Sequence, residues 1–329
     1  MKIGKVSQTV LKRSVLDQFH HTRQELILPL SVEEMCGAIQ VDTGNQMVFT
    51  EASYYGNEKN LGIFVIAKTV NDLATRGAEP IGVTVSIQLP PYAYESRLKS
   101  MIEYINKTCC DQQLQIFSAK AEVNPIIQST IVHVVALGKI KQGTILQSRN
   151  GKPEQDIILI NWIALEGMLR ILNEKECALS QRFAPSFLQQ TKKHMEKLFA
   201  VEEIQLAYKL GASAIHQISS GGILAALWEV AEASCVGLEI ELKKIAVKQE
   251  TIEICECYQM NPYQLTSVGS LLVLVDDGEK ILGQLKEKGK QAAWIGRTTN
   301  NRDRIICNGD DKRFIDRPQP DELVKLFTQ

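Results

Sequence analysis

The sequence carries no excess of charge of either sign. Its 37 Lys and Arg balance 38 Asp and Glu, giving a formal net charge of -1, and the basic residues are scattered. Nucleic-acid binders gather basic residues into a patch or stripe, so no nucleic-acid partner is expected. No uninterrupted apolar run approaches the roughly 20 residues a membrane helix needs, so no membrane span is expected. The first six residues, MKIGKV, hold no apolar core of signal-peptide length. Cysteine is sparse and irregular: Cys36, Cys109, Cys110, Cys177, Cys235, Cys255, Cys257 and Cys307. That spacing excludes a disulfide scaffold and predicts a reducing, cytoplasmic setting. Cys109-Cys110 and Cys255-x-Cys257 lack the matched second pair of a zinc site and read as structural. His20, His21, His133, His194 and His216 form no spaced ligand motif; His133, in the middle of a strand pattern, reads as packed. Internal repeats and low-complexity segments are also missing.

What is present is an ordinary globular composition, 44% hydrophobic and 23% charged over 329 residues. That length predicts two domains. Leu11, Val15 and Phe19 share a helical face over 8–19, and 61–74 is an apolar helix stopped by Gly77 and Pro80. Over 81–89, Ile81, Val83, Val85, Ile87 and Leu89 alternate with Gly82, Thr84, Ser86 and Gln88, a period-two strand closed by Pro90-Pro91. A helix follows over 95–110, then strands over 114–118 and 130–137. Residues 138–153, with Gly138, Gly143, Gly151 and Pro153, form the candidate linker. Beyond it the pattern predicts strands over 156–162, 212–218, 238–245, 270–275, 292–295 and 304–307. Helices are predicted over 164–173, 186–198, 202–210, 223–234, 249–257 and near 278–289. The fold class is α+β (mixed α/β), with domains at 1–140 and 151–329.

Several segments, taken in order, resemble a known superfamily. Thr69-Val70-Asn71-Asp72-Leu73-Ala74, followed by Gly77-Ala78-Glu79-Pro80, matches its TVNDLA…GAxP signature. Ser219-Ser220-Gly221-Gly222 stands where it has a D-x-T-x-GG loop opening a helix, and Ala121-Glu122-Val123 ends its GGHTEV segment. Gly4-Lys5, Lys12-Arg13-Ser14-Val15-Leu16, Asn261-Pro262-Tyr263 and Gly269-Ser270 add to the likeness. The chain resembles the AIR synthase-like (PurM-like) superfamily, which includes selenophosphate synthetase and thiamine-monophosphate kinase. Within it the likeness is greatest to the hydrogenase-maturation family HypE. The resemblance implies an N-terminal domain that forms a dimeric, β-barrel-like core, a larger α+β C-terminal domain, and ATP with Mg²⁺ between them.

Such enzymes transfer a phosphoryl group from ATP, which calls for oxygen ligands to Mg²⁺ and donors around the polyphosphate. Position by position, the chain departs from that pattern. The acidic GDDA-like motif falls on Glu33-Glu34-Met35-Cys36-Gly37-Ala38, which keeps Glu34. The STD motif falls on Thr50-Glu51-Ala52, with Glu51 beside the lost acid. The GGHTE motif falls on Ser118-Ala119-Lys120-Ala121-Glu122, and the lost glycines remove room for close approach to phosphate. The D-x-T-x-GG loop falls on Gln217 to Gly222, without its acid but with its glycines. Asn71, Asp72, Lys120, Glu122, Ser220, Gly221 and Gly222 are thus the candidate nucleotide or phosphate ligands. Asp72 and Glu122 are the metal candidates, with Glu34 and Glu51 as secondary ones. HypE proteins end in a cysteine that is carbamoylated and dehydrated; this sequence ends Lys325-Leu326-Phe327-Thr328-Gln329, which offers no counterpart.

Three readings follow. One is a HypE-like homodimer with a degraded ATP site, acting as a weak nucleotide binder or a non-catalytic partner in metalloenzyme maturation. The second is an active ATP-dependent enzyme with a rearranged Mg²⁺ site. The third is a module for another anion, held by Lys120 and the Gly221-Gly222 helix terminus.

Overall fold

A computed structural model of the chain describes residues 26–28, 37–42, 45–141 and 145–328. The helical face expected over 8–19 and the secondary candidate Glu34 lie outside the described residues. These gather into two compact units, one reaching Ile145 and the other starting at Leu146. No described helix is long and apolar enough to cross a membrane.

The first unit holds strands β1 (Leu26–Leu28), β2 (Gly37–Asp42), β3 (Asn45–Gly56), β4 (Glu79–Leu89), β5 (Gln115–Val123) and β6 (Thr130–Lys141). They form one sheet in the order β1-β2-β3-β6-β4-β5. Helix α1 (Leu61–Thr75) links β3 to β4, and helix α2 (Glu95–Asp111) links β4 to β5. Strands β4 and β5 are parallel, so the chain must cross back between them, and α2 is that crossover. α1 is apolar nearly all round because it is covered on nearly all sides. It packs on β3, β4 and β6 and meets α2 so closely that a Cβ on Gly62 would lie 2.4 Å from Ile105 Cγ1. It stops at Gly77, in the left-handed region at φ 82°, whose N–H bonds the Ala74 carbonyl.

The inward residues of this sheet are Val48, Thr50, Ala52, Val83, Val85, Ile87, Val132, Val134 and Ala136, all buried. Its other face has no helix packed on it among the described residues. Ile39, Phe49 and Tyr55 stand exposed there, with Ile131, Val135 and Leu137 half-buried beside them.

The second unit carries a seven-stranded sheet. Its elements are β7 (Asp156–Ile160), α3 (Leu165–Glu174), α4 (Pro185–Lys192), α5 (Val201–Lys209), β8 (Ala214–Ile218), α6 (Gly222–Ser234) and β9 (Gly237–Glu241). Next come α7 (Gln249–Cys257), β10 (Ser270–Val275), α8 (Gly278–Glu287), β11 (Ala292–Thr299), β12 (Arg304–Asn308) and β13 (Asp311–Phe314). The strand order is β13-β12-β9-β11-β7-β10-β8. β7, β8 and β10 are buried along their whole length. α6 packs on β8 and β9, and α8 on β7 and β11.

The expected linker is a strand in its first part. β6 runs through Gly138 to Lys141, because β3 pairs with it along its full length. Gly138 is there for space: a Cβ would lie 3.1 Å from Ala78 Cβ and from the Glu79 carbonyl. The helix expected over 186–198 breaks into α4 and a 3₁₀ turn, Lys193–Leu198. The strand expected over 238–245 ends at Glu241 and turns through Leu242–Lys244.

Candidate functional site

The signature segment places Asn71 and Asp72 in the last turns of α1, both buried. Asp72 Oδ2 accepts a 2.7 Å bond from Lys68 Nζ one turn earlier. The two side chains are only 15% and 5% exposed. At i and i+4 they share one helix face, so this pairing is written into the local sequence. Lys68 thus supplies at Asp72 the positive charge that a bound cation would bring.

Glu51, Lys120 and Glu122 lie on the opposite side of the sheet from α1. Ser53, His133, Ser86 and Lys120 form one row across β3, β6, β4 and β5, and Tyr55, Ile131, Gln88 and Glu122 form the next but one. Glu51 heads the row with Val135, Thr84 and Ser118. Side chains alternate across a strand, so these rows share the open face, while Thr50, Ala52 and Val134 point to α1. Lys120 and Glu122 sit on the exposed edge strand β5 and form no ion pair with a described residue. His133 is not packed, as its position in the strand pattern led us to expect. It is half-exposed on the open face, its Nδ1 2.8 Å from Ser53 Oγ and its Nε2 3.7 Å from Glu51 Oε2. Alternation marks it as a face residue, but only register with β3 reveals its partners.

Among the described residues, no three His, Cys, Asp or Glu side chains converge on a point that could hold a metal ion. Mg²⁺ demands a near-octahedral set of oxygens. With Asp72 buried against Lys68 and Glu51 and Glu122 on the other face, the described residues do not assemble that set. We derive no step through magnesium. The buried thiols are equally unsuited to chemistry, since burial pushes Cys109 up to about 11 and Cys255 up to about 12.

In the second unit, Gly221 (φ 87°) and Gly222 (φ 67°) turn the chain from β8 into α6. Both are left-handed, and a Cβ on Gly222 would lie 2.5 Å from the Tyr263 carbonyl. This helix terminus is already capped from within. Gly221 N–H donates to Asp321 Oδ2 at 2.6 Å, and Leu323 N–H to Asp321 Oδ1 at 2.8 Å. Burial pushes the Asp321 carboxyl up to about 6; the N–H groups of Gly221, Leu323 and Thr266 pull the other way, and the neighbouring Glu166 charge adds to the rise. Glu166 is fully buried. Its Oε2 accepts from Thr266 Oγ1 (2.6 Å) and Val268 N–H (2.9 Å), and its Oε1 has no partner among the described residues. Ser220 is half-exposed beside this cluster. Gln217, where the resemblance puts an acid, is buried, and its Oε1 lies 3.4 Å from Gly269 N. His216 is buried against Glu229 Oε2 (3.2 Å) and Ser148 Oγ (3.5 Å). Sequence reasoning missed Asp321 and Glu166, which come to the loop from far along the chain. The only trace of Asp321 was its fitness as a turn cap before Leu323.

Two family descriptions match the chain: "AIR synthase related protein, N-terminal domain" over residues 28–140 and "AIR synthase related protein, C-terminal domain" over residues 153–308. A protein of Methanocaldococcus jannaschii, named provisionally as a hydrogenase expression/formation protein, is 25% identical across 98% of this chain and 97% of its own length. Among solved structures, the HypE-HypF complex contains a chain with the same fold, at a TM-score of 0.73 and 20% identity, over 94% of this chain and 99% of that one. The hydrogenase maturation protein HypE in complex with ATP aligns at a TM-score of 0.68 and 15% identity, over 87% and 89% of the two chains.

Proposed function

We propose that this chain, which belongs to the AIR synthase related protein family through both its N-terminal and its C-terminal domain, is a HypE-like homodimer with a reduced nucleotide site, serving hydrogenase maturation as a partner protein. The Lys68–Asp72 ion pair carries this reading. The central carboxylate of the signature segment is neutralised by its own helix at 2.7 Å. The other candidate carboxylates, Glu51 and Glu122, stand across the sheet from it. A solved HypE is described in complex with ATP. By that likeness, the exposed polar donors left for a nucleotide are Lys120 in the first unit and, separately, Ser220 in the second, and neither is a metal ligand. Such contacts support weak, magnesium-independent binding.

Second-copy assembly is supported by the open face of the first sheet. Ile39, Phe49 and Tyr55 are exposed there beside Val135 and Leu137, and a group of large apolar side chains uncovered among the described residues supports an interface. Another HypE is described in complex with HypF, which supports a protein partner for this chain too.

The test is calorimetric titration of the full chain with a slowly hydrolysed ATP analogue, with and without Mg²⁺. The reading expects dissociation constants of roughly a millimolar that magnesium leaves unchanged. Magnesium-dependent micromolar binding would instead establish the rearranged-enzyme reading.

A further inference from the structure

The second unit contains a cavity that the nucleotide reading does not use. It opens over β9, β11 and β12, at the other end of the sheet from the Gly221-Gly222 turn, which follows the edge strand β8. α8 packs on the same sheet over β7 and β11. The cavity has a volume of about 400 Å³ and is lined by Glu239, Glu241, Lys243, Trp294, Arg297 and Cys307.

Two features distinguish it from a surface hollow. First, one carboxylate fixes two of its walls. Asp156 Oδ1 accepts from Trp294 Nε1 and from Arg297 Nε, each at 2.9 Å, and Asp156 Oδ2 accepts from Gly278 N–H at 3.0 Å. Burial alone would raise the Asp156 pKa, but these three bonds and the Arg297 charge outweigh it and hold it below the ordinary value. The guanidinium is held through Nε, which leaves its two terminal nitrogens for a ligand in the fork geometry that suits oxyanions.

Second, each carboxylate around the cavity is matched by a cation, Asp156 by Arg297 among them, and one ammonium is left over among the described residues. Glu239 pairs with Lys312 at 2.6 Å, and Glu241 with Lys244 at 3.2 Å. Lys244 also lies 4.5 Å above the Trp294 ring. Lys243 forms no ion pair with a described residue. Among the described residues, the cavity therefore holds one ammonium without an ion pair and one guanidinium whose outward donors are unspent.

We propose that this cavity binds a small phosphorylated molecule, its phosphate held by Arg297 and Lys243 and its organic part against Trp294. Donors from two different elements, the outward nitrogens of Arg297 and the Lys243 ammonium, suit the several oxygens of a phosphate, whereas a single carboxylate would be satisfied by Arg297 alone. The volume falls within the range of small-molecule sites.

The probes are glycerol 3-phosphate, inorganic phosphate and acetate, titrated into the full chain by calorimetry. Glycerol 3-phosphate is expected to bind saturably, with inorganic phosphate weaker and acetate weaker still. Arg297→Ala should weaken glycerol 3-phosphate binding about tenfold, and Lys243→Ala about threefold. Both side chains sit at the cavity wall, and thermal melting of each variant reports retained folding. Asp72→Asn, in the other unit, should leave the affinity unchanged. The assignment is overturned if the wild-type chain shows no saturable binding up to about 10 mM. It is overturned equally if both cavity variants bind as the wild type does, or if acetate binds as tightly as glycerol 3-phosphate.

Discussion

The two sheets of this protein handle polar groups in opposite ways. In the second unit, the polar groups around the glycine turn are answered from within: Asp321 caps Gly221 and Leu323, and Glu166 binds Thr266 and Val268. In the first unit, the polar rows of Glu51, Ser53, His133, Lys120 and Glu122 point outward from a face with no layer on it among the described residues. An internally satisfied site has fixed geometry and titrates as part of the fold. A face with exposed Phe49 and Tyr55 is, among the described residues, open to a partner surface. On the proposed reading, the first cluster keeps structure and the open face serves assembly.

The strongest way to break this contrast is to charge the open face. Val135 lies in the middle of β6, half-buried, opposite Glu51. If this face is the proposed dimer interface, Val135→Glu would bury an unpaired carboxylate there, at a penalty of about 3 kcal/mol per copy. We expect sedimentation equilibrium to show the dissociation constant raised more than about a hundredfold, with circular dichroism of the monomer unchanged. A wild-type chain that is monomeric at all concentrations would end the dimer reading.

The second prediction concerns the capped turn. The Asp321 carboxyl rises from an ordinary 3.8 to about 6 in the folded chain, which corresponds to about 3 kcal/mol. The folded state holds this proton more tightly than the unfolded state does. The contribution is therefore fully present below about pH 4 and is lost as pH rises through about 6. Asp321→Asn cannot titrate. Urea midpoints measured across pH 4 to 7 should therefore show the wild type losing stability relative to the variant as pH rises. Parallel curves would mean that the N–H donors, not burial, govern this carboxyl.

The same contrast explains what could be read in the sequence. The buried elements were legible: β4 and α7 bury one face and carry one period, while α1 and β10 read as apolar runs of helix and strand length. β3, a strand of 12 residues, gave no clear signal. Its outward residues Met47, Phe49 and Tyr55 are as apolar as its inward Val48, Thr50 and Ala52, so no amphipathic contrast exists to find. The candidate site was legible only where it is local. Asn71-Asp72 and Gly221-Gly222 stand in recognisable segments, and Lys68 lies one turn from its partner. Asp321 reaches Gly221 across 100 residues of chain, and His133 meets Ser53 across 80. Pairings at such separations are made by topology, and no window of sequence contains them.

The smallest effect sharpens the comparison most directly, because it asks whether the first unit retains a latent site. Lys68→Ala removes the ammonium that lies 2.7 Å from the Asp72 carboxylate. The ion pair is only partly shielded from water, so the stability loss should be about 1 kcal/mol. The informative readout is nucleotide titration with and without Mg²⁺. If Lys68 stands in for a cation, affinity in the variant should gain a magnesium dependence of a few-fold that the wild type lacks, since a divalent ion can now occupy the vacated charge position. Potassium at equal ionic strength serves as the control, because simple screening would act alike for both salts. A variant whose binding ignores magnesium would show that Lys68 does not stand in for a cation at Asp72.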